Sequence, residues 1–127
     1  MLNLNLQSFD TLLVNNQSMR KRRTDRTHII YQITNTVTGE FYIGITVLQG
    51  RAYLGSLQKR WKEHVSRAMN ENRDWKLCHS IREHGPQSFN IQIFETIRGK
   101  RPAHTREVYL IKDLQPQLNT SSIKQTI

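Results

Sequence analysis

Apolar side chains fall into distinct periodic blocks along the 127-residue chain. Residues 28–34 and 41–46 are dominated by β-branched and aromatic types. The link between them, Asn35 to Glu40, contains Gly39, the residue type that supplies the positive φ of a tight turn. Together they read as a β-hairpin. After a loop with Gly50 and Gly55, the residues Leu57, Trp61, Val65 and Ala68 recur at helical spacing. This predicts a helix over about 57–69 with Ser56 as its cap. A second, short helix is expected over about 75–84, opened by Asp74 and stopped by Gly85 and Pro86. Phe89, Ile91 and Ile93 then alternate with polar neighbours as a third strand over 89–94. A last helix, about 103–114, fits between Pro102 and Pro116. The order ββααβα predicts a small α+β domain built on a three-stranded, mostly antiparallel sheet.

Composition divides the chain. Residues 1–27 form a polar, basic N-terminal extension, 28–120 carry the periodic pattern, and 121–127 are a tail. In the extension Leu2, Leu4 and Leu6 alternate, Leu12, Leu13 and Val14 cluster, and Arg20, Lys21, Arg22 and Arg23 form a run that reads equally as an arm along a phosphate backbone or as a solvated tail or tether. No apolar stretch approaches the ~20 residues that span a bilayer, so no membrane association is expected. The start lacks a signal-peptide pattern. A single cysteine, Cys78, excludes an internal disulfide framework and a multi-cysteine zinc site, and an intracellular, cytoplasmic setting is the expectation. Nineteen Lys and Arg against ten acidic residues leave a net charge of +9. Neutralising phosphates releases condensed counterions, so this balance points to a nucleic-acid partner. Ribosome-associated and membrane-surface proteins share the bias.

Three features carry candidate chemistry. Glu107 lies within the apolar stripe that Ala103, Leu110, Ile111 and Leu114 define on the last helix. A carboxylate facing a core is costly unless it is paired or bound to a cation. Either a salt bridge to an arginine satisfies it, or it snorkels at the edge of the stripe, or it is a ligand for a hard divalent ion such as Mg²⁺. Arg60 and His64 sit one turn apart beside the stripe of the first helix. They suit phosphate binding and proton transfer, or simply belong to a basic face with Lys59, Lys62 and Arg67. Tyr31 and Tyr42 lie on the two hairpin strands, where packing is the ordinary role of a tyrosine. A phenol serves as a general base only where cations or a metal lower its pKa from ~10.

These residues together resemble the GIY-YIG nuclease family. Ile29-Ile30-Tyr31 and Tyr42-Ile43-Gly44 are similar to its two-part signature, and Arg60-Trp61-Lys62-Glu63-His64 to its helix motif. Arg106-Glu107-Val108-Tyr109 is similar to the segment around its metal-binding glutamate, and Leu118-Asn119 to its closing asparagine. The resemblance runs from about 28 to 119. It implies a three-stranded antiparallel sheet flanked by helices, with the site on one sheet face. It also implies a metal-dependent DNA endonuclease, using one Mg²⁺ or Mn²⁺ and leaving 5′-phosphate and 3′-hydroxyl ends. Small homing or phage-type endonucleases are the nearest look-alikes, and a structure-specific repair nuclease is a variant of the same class. Carried over, Tyr31 is the general base or a water-orienting phenol, and Tyr42 binds the phosphate or nucleophile. Arg60 stabilises the scissile phosphate, His64 assists proton transfer, Glu107 holds the metal, and Asn119 supports the site. Arg20, Lys21, Arg22, Arg23, Arg51, Lys59 and Arg67 are the cations expected along double-stranded DNA. The chain departs from the pattern in three places. Ile29 replaces the opening glycine, the stretch from Gly44 to Arg60 is long, and a further histidine of some members would fall near Asn72 or Arg73. The competing reading is a non-catalytic nucleic-acid-binding protein on the same scaffold, which would have no use for a core-facing carboxylate.

Overall fold

The structure, a computed structural model, describes residues 25–120. The leucine alternation, the Leu12–Val14 cluster, the Arg20–Arg23 run and the tail after 120 lie outside the described residues. Strand β1, Thr27–Asn35, is the middle of a sheet of order β2-β1-β3, with β2 at Phe41–Val47 and β3 at Phe89–Arg98. Both pairings are antiparallel. A central strand is covered on both sides, which is why its sequence is apolar at consecutive positions. Ile29, Tyr31 and Ile33 face one layer, with Leu57, Ala68, Leu77, Cys78 and Ile81. Ile30 faces the other, with Ile43 and Leu110, and Ile45, Ile97 and Ile111 close around them. Helices α1 (Tyr53–Asn70) and α2 (Lys76–His84) therefore cover one sheet face, and α3 (Lys100–Leu114) covers the other.

The element order is the one the periodicity predicts, and the boundaries differ for local reasons. Helix α1 begins at Tyr53, ahead of the expected start near 57, and Ser56 is no cap. Its hydroxyl donates to the Ala52 carbonyl at 2.6 Å and accepts the Gln49 N–H at 2.9 Å, which ties the preceding loop to the first turn. Asp74 does not cap α2, whose cap position is Trp75. Its carboxylate instead accepts from His79 Nε2 at 2.6 Å. Gly85 ends α2 as expected, and Pro86–Ser88 form a short 3-10 turn into β3. Pro102 falls inside the first turn of α3, where no helical partner is needed for a backbone N–H. Leu114, expected on the apolar stripe of α3, is exposed.

Strand β3 runs past the expected end at 94 because it contains a bulge. Tyr31 pairs with Ile93 and Ile30 with Glu95, leaving Phe94 as the extra residue. One inserted residue moves every later side chain to the opposite face. Phe89 and Ile91 pack with the α1/α2 layer, whereas Ile97 packs with the α3 layer. Without the bulge, simple alternation would place all three on one side.

The hairpin turn is built by Asn35, which is fully buried. Its Oδ1 accepts the N–H groups of Val37 at 2.8 Å and Thr38 at 3.2 Å, and its Nδ2 donates to Ser80 Oγ on α2 at 2.9 Å. Gly39 takes the positive φ of 83° that closes the loop. No helix among the described residues is long and apolar enough to cross a membrane. Asn35→Ala removes three hydrogen bonds and strands a buried hydroxyl, so the expected loss of stability is about 2–4 kcal/mol. Urea denaturation of the variant beside the parent measures it.

Candidate active site

Two strands bring the tyrosines to one face. Tyr31 pairs with Gly44 and Ile33 with Tyr42, and period-2 alternation puts Tyr31, Tyr42 and Gly44 on the α1 side of the sheet. A Cβ at position 44 would lie 2.5 Å from Tyr31 Cζ and Oη and 2.7 Å from Tyr42 Cε1. Glycine is required there because both phenol rings close over its backbone. Ile29, in the place of the family's opening glycine, is fully buried in the core, so this position has room for a large side chain.

Helix α1 delivers His64 into the same cluster. Its Nε2 lies 2.8 Å from the Tyr31 hydroxyl. The imidazole meets the Tyr31 and Tyr42 rings edge-on, with centroids 6.0 and 5.3 Å away. Tyr31 and His64 are both buried. Burial and the Arg60 and Arg67 charges push His64 down from 6.5 to about 3, so its ring is neutral. Burial, and then the neighbouring Tyr42, push Tyr31 well above its ordinary range. Tyr42 is raised by burial and by the Glu107 charge. All three groups are thus held uncharged.

Arg60 lies beside them at the margin of the core. Its Nη1 donates to Glu63 at 2.9 Å. Its Nε is buried without a partner, as is Nδ1 of His64, and these two are the only such side-chain atoms among the described residues. An unsatisfied buried polar group costs about 1–3 kcal/mol, so these two atoms on one motif are positions that a polar ligand atom could pair. Arg60 also forms the wall of a depression of about 300 Å³ whose other cations are Lys59 and Arg67. Two of the cations expected on DNA, Lys59 and Arg67, therefore converge on Arg60, and Glu63 lines the same depression. Arg51 is exposed on the loop and does not line the depression. Arg20, Lys21, Arg22 and Arg23 lie outside the described residues.

Glu107 is half-buried on α3, one turn before the buried Leu110. The arginine beside it does not neutralise it. Arg106 instead makes a two-point pair with Glu95, at 2.8 and 3.2 Å. The nearest cation-forming group is His104, with Nδ1 at 3.7 Å. Burial pushes Glu107 up from 4.5 to about 7. A desolvated carboxylate of this kind suits a hard divalent ion, which would remove the cost of ionising it. The described residues hold no group of three or more potential metal ligands. A lone carboxylate is a donor that fits Mg²⁺ or Mn²⁺, which need only one or two protein carboxylates. Asn119 is buried and clasps β2 between the two signature residues. Its Oδ1 accepts the Ile43 N–H at 2.9 Å, and its Nδ2 donates to the Ile43 carbonyl at 2.8 Å. It positions Tyr42 and Gly44 through the backbone.

A fold and a site of this kind define a nuclease acting on phosphodiester bonds, and comparison with known proteins agrees. Residues 27–120 match the GIY-YIG catalytic domain model, and the chain belongs to that family. Among solved structures it is similar to the catalytic domain of the homing endonuclease I-TevI, at 29 % identity and a TM-score of 0.54, over 72 % of this chain and 92 % of that one. A single-residue variant of the same intron endonuclease domain matches at 28 % identity and a TM-score of 0.56, over 73 % of this chain and 89 % of that one. No curated protein matches the sequence.

The ionisation of Glu107 has a consequence for stability. Its folded pKa lies above its unfolded value, so the folded state binds the extra proton. That contribution is complete below pH 4.5 and is lost as the pH rises through about 7. Without metal, ionised Glu107 then costs the folded state at most about 3 kcal/mol, and less to the extent that water reaches the half-buried carboxylate. Glu107→Gln should melt above the parent at pH 8 in EDTA, and the gap should close below pH 4.5. Calorimetry across this range checks the sign.

Proposed function

We propose that the protein is a divalent-metal-dependent endonuclease that cuts double-stranded DNA. The observation that carries the reading is the buried Tyr31–His64 contact of 2.8 Å beside Arg60, whose guanidinium keeps a buried donor unpaired. A domain that only binds DNA needs exposed cations and has no use for a neutral histidine held on a phenol in its interior.

The scissile phosphate enters the depression of Arg60, Lys59 and Arg67. Arg60 and Arg67 are also two of the three influences that lower the His64 pKa. A bound phosphodiester, with its single negative charge, offsets part of their effect, while burial still opposes protonation. Substrate thus raises the proton affinity of His64 at the point where a proton must be taken up. With His64 in its Nδ1–H tautomer, Nε2 accepts from the Tyr31 hydroxyl, and Tyr31 in turn accepts a proton from the attacking water. Tyr42 orients that water or a phosphate oxygen. Arg60 stabilises the charge that grows on the phosphate in the transition state. Glu107 would hold the single Mg²⁺ or Mn²⁺, which supplies charge stabilisation at the phosphate and leaving oxygens when bound. Asn119 keeps the Tyr42–Gly44 backbone in place.

Cleavage of supercoiled plasmid by the purified chain, with Mg²⁺ and with EDTA, tests the reading. Mg²⁺-dependent nicking or linearisation is expected, and intact plasmid under both conditions would refute it. Glu107→Gln should abolish cleavage and retain DNA binding in a gel-shift assay. Arg60→Lys keeps one charge but loses the planar fork, and turnover should fall by about 10²-fold or more. Turnover close to the parent's would reduce Arg60 to a backbone contact.

A further inference from the structure

A second concavity, of about 260 Å³, shares Arg60, Thr46 and Val47 with the first. Beyond Arg60 its charged and imidazole lining is Arg26, His28, Lys100 and His104, and no carboxylate lines it. These residues come from three places in the chain: the entry to β1, β1 itself and the first turns of α3. They are held together through the Arg26 backbone, whose carbonyl accepts the Gly99 N–H at 2.9 Å and His28 Nδ1–H at 2.9 Å. His28 is buried, and its Nε2 makes no hydrogen bond among the described residues. The His28 and His104 rings meet edge-on, 6.0 Å apart.

Two cations outside the cavity are paired, Arg98 with Asp25 at 3.1 Å and Arg106 with Glu95 at 2.8 Å. Within the described residues the side chains of Arg26 and Lys100 make neither an ion pair nor a hydrogen bond. Like charges gathered around one small hollow repel each other, and the carboxylates nearby, Glu63 on Arg60 and Glu107 at 3.7 Å from His104, line no part of the hollow to offset this at Arg26 and Lys100. An anion would. Arg60 walls both cavities, so an anion here would share that guanidinium with one bound in the first depression.

We infer that this cavity binds the DNA phosphate adjoining the scissile one. Arg26 and Lys100 are its cations, His28 and His104 are its hydrogen-bonding imidazoles, and Arg60 is shared between the two phosphates. The subsite rests on the nuclease reading above and sets which bond of the strand comes to the Tyr31–His64 pair.

The test uses the full chain in the Glu107→Gln background, so that duplex DNA is bound and not cut. Arg26→Gln/Lys100→Gln is compared with Lys76→Gln/Lys112→Gln, which removes the same charge from exposed positions outside both cavities. Fluorescence anisotropy with a short duplex, between about 50 and 200 mM salt, gives affinity and salt slope. The cavity pair should lose roughly tenfold or more in affinity, and its slope should shallow by up to about 1.8, two contacts at about 0.9 each. The control pair should lose about threefold or less. Equal losses in the two pairs would overturn the subsite and leave the nuclease reading standing. Absence of duplex binding by the parent protein would overturn both. Melting temperatures confirm folding, and if the double variant unfolds, Lys100→Gln against Lys112→Gln decides on the same criterion.

Discussion

The hydrogen bond between Tyr31 and His64 joins the central strand to the first helix inside the core, and the rest of the site is arranged around it. It can form only because Gly44 carries no side chain, so that two phenol rings lie over the strand where a Cβ would collide with both. It stays buried because Leu57 and Ala68 of α1, with Leu77 and Ile81 of α2, seal that sheet face. Burial then decides the charge states: both phenols keep their protons and the imidazole stays neutral. Charge is left to Arg60 at the margin and Glu107 on α3. A neutral interior bordered by one cation and one carboxylate that resists ionisation is an environment whose balance of charge an incoming phosphodiester changes.

The same interior is costly to maintain. Two buried polar atoms have no partner among the described residues, and Glu107 resists ionisation. Groups in such settings concentrate where function needs them, because a sequence selected for stability alone would replace them. Support comes from residues that do no chemistry. Asn119 holds the Ile43 backbone by two hydrogen bonds, and Asn35 shapes the turn that sets β1 against β2. The chemistry is thus mounted on rigid strands and a helix, with the cations at the edges.

Much of the fold was legible in the periodicity. The hairpin, the α1 stripe of Leu57, Trp61, Val65 and Ala68, and the stop at Gly85 and Pro86 all follow from local pattern and turn chemistry. The helix starts were less legible. Ser56 and Asp74 have the composition of caps, but their hydrogen bonds go to the Gln49–Ala52 loop and to His79. The Phe94 bulge could not be read from alternation, since the pattern through Ile93 is regular and the shift is defined only by pairing with β1.

The sequence by itself determined the order of elements, the basic character and the motif residues, because each depends on the identity of a side chain or on its spacing along a single element. Tertiary structure alone decided what those residues experience. Tyr31 and His64 are thirty-three positions apart, and their contact exists only once α1 packs on the sheet. Burial of His64 and Glu107, the clasp of Asn119 on Ile43, and the meeting of Arg26, His28, Lys100 and His104 in one cavity are likewise products of packing. Desolvation and proximity act through space between elements, and a linear pattern records neither.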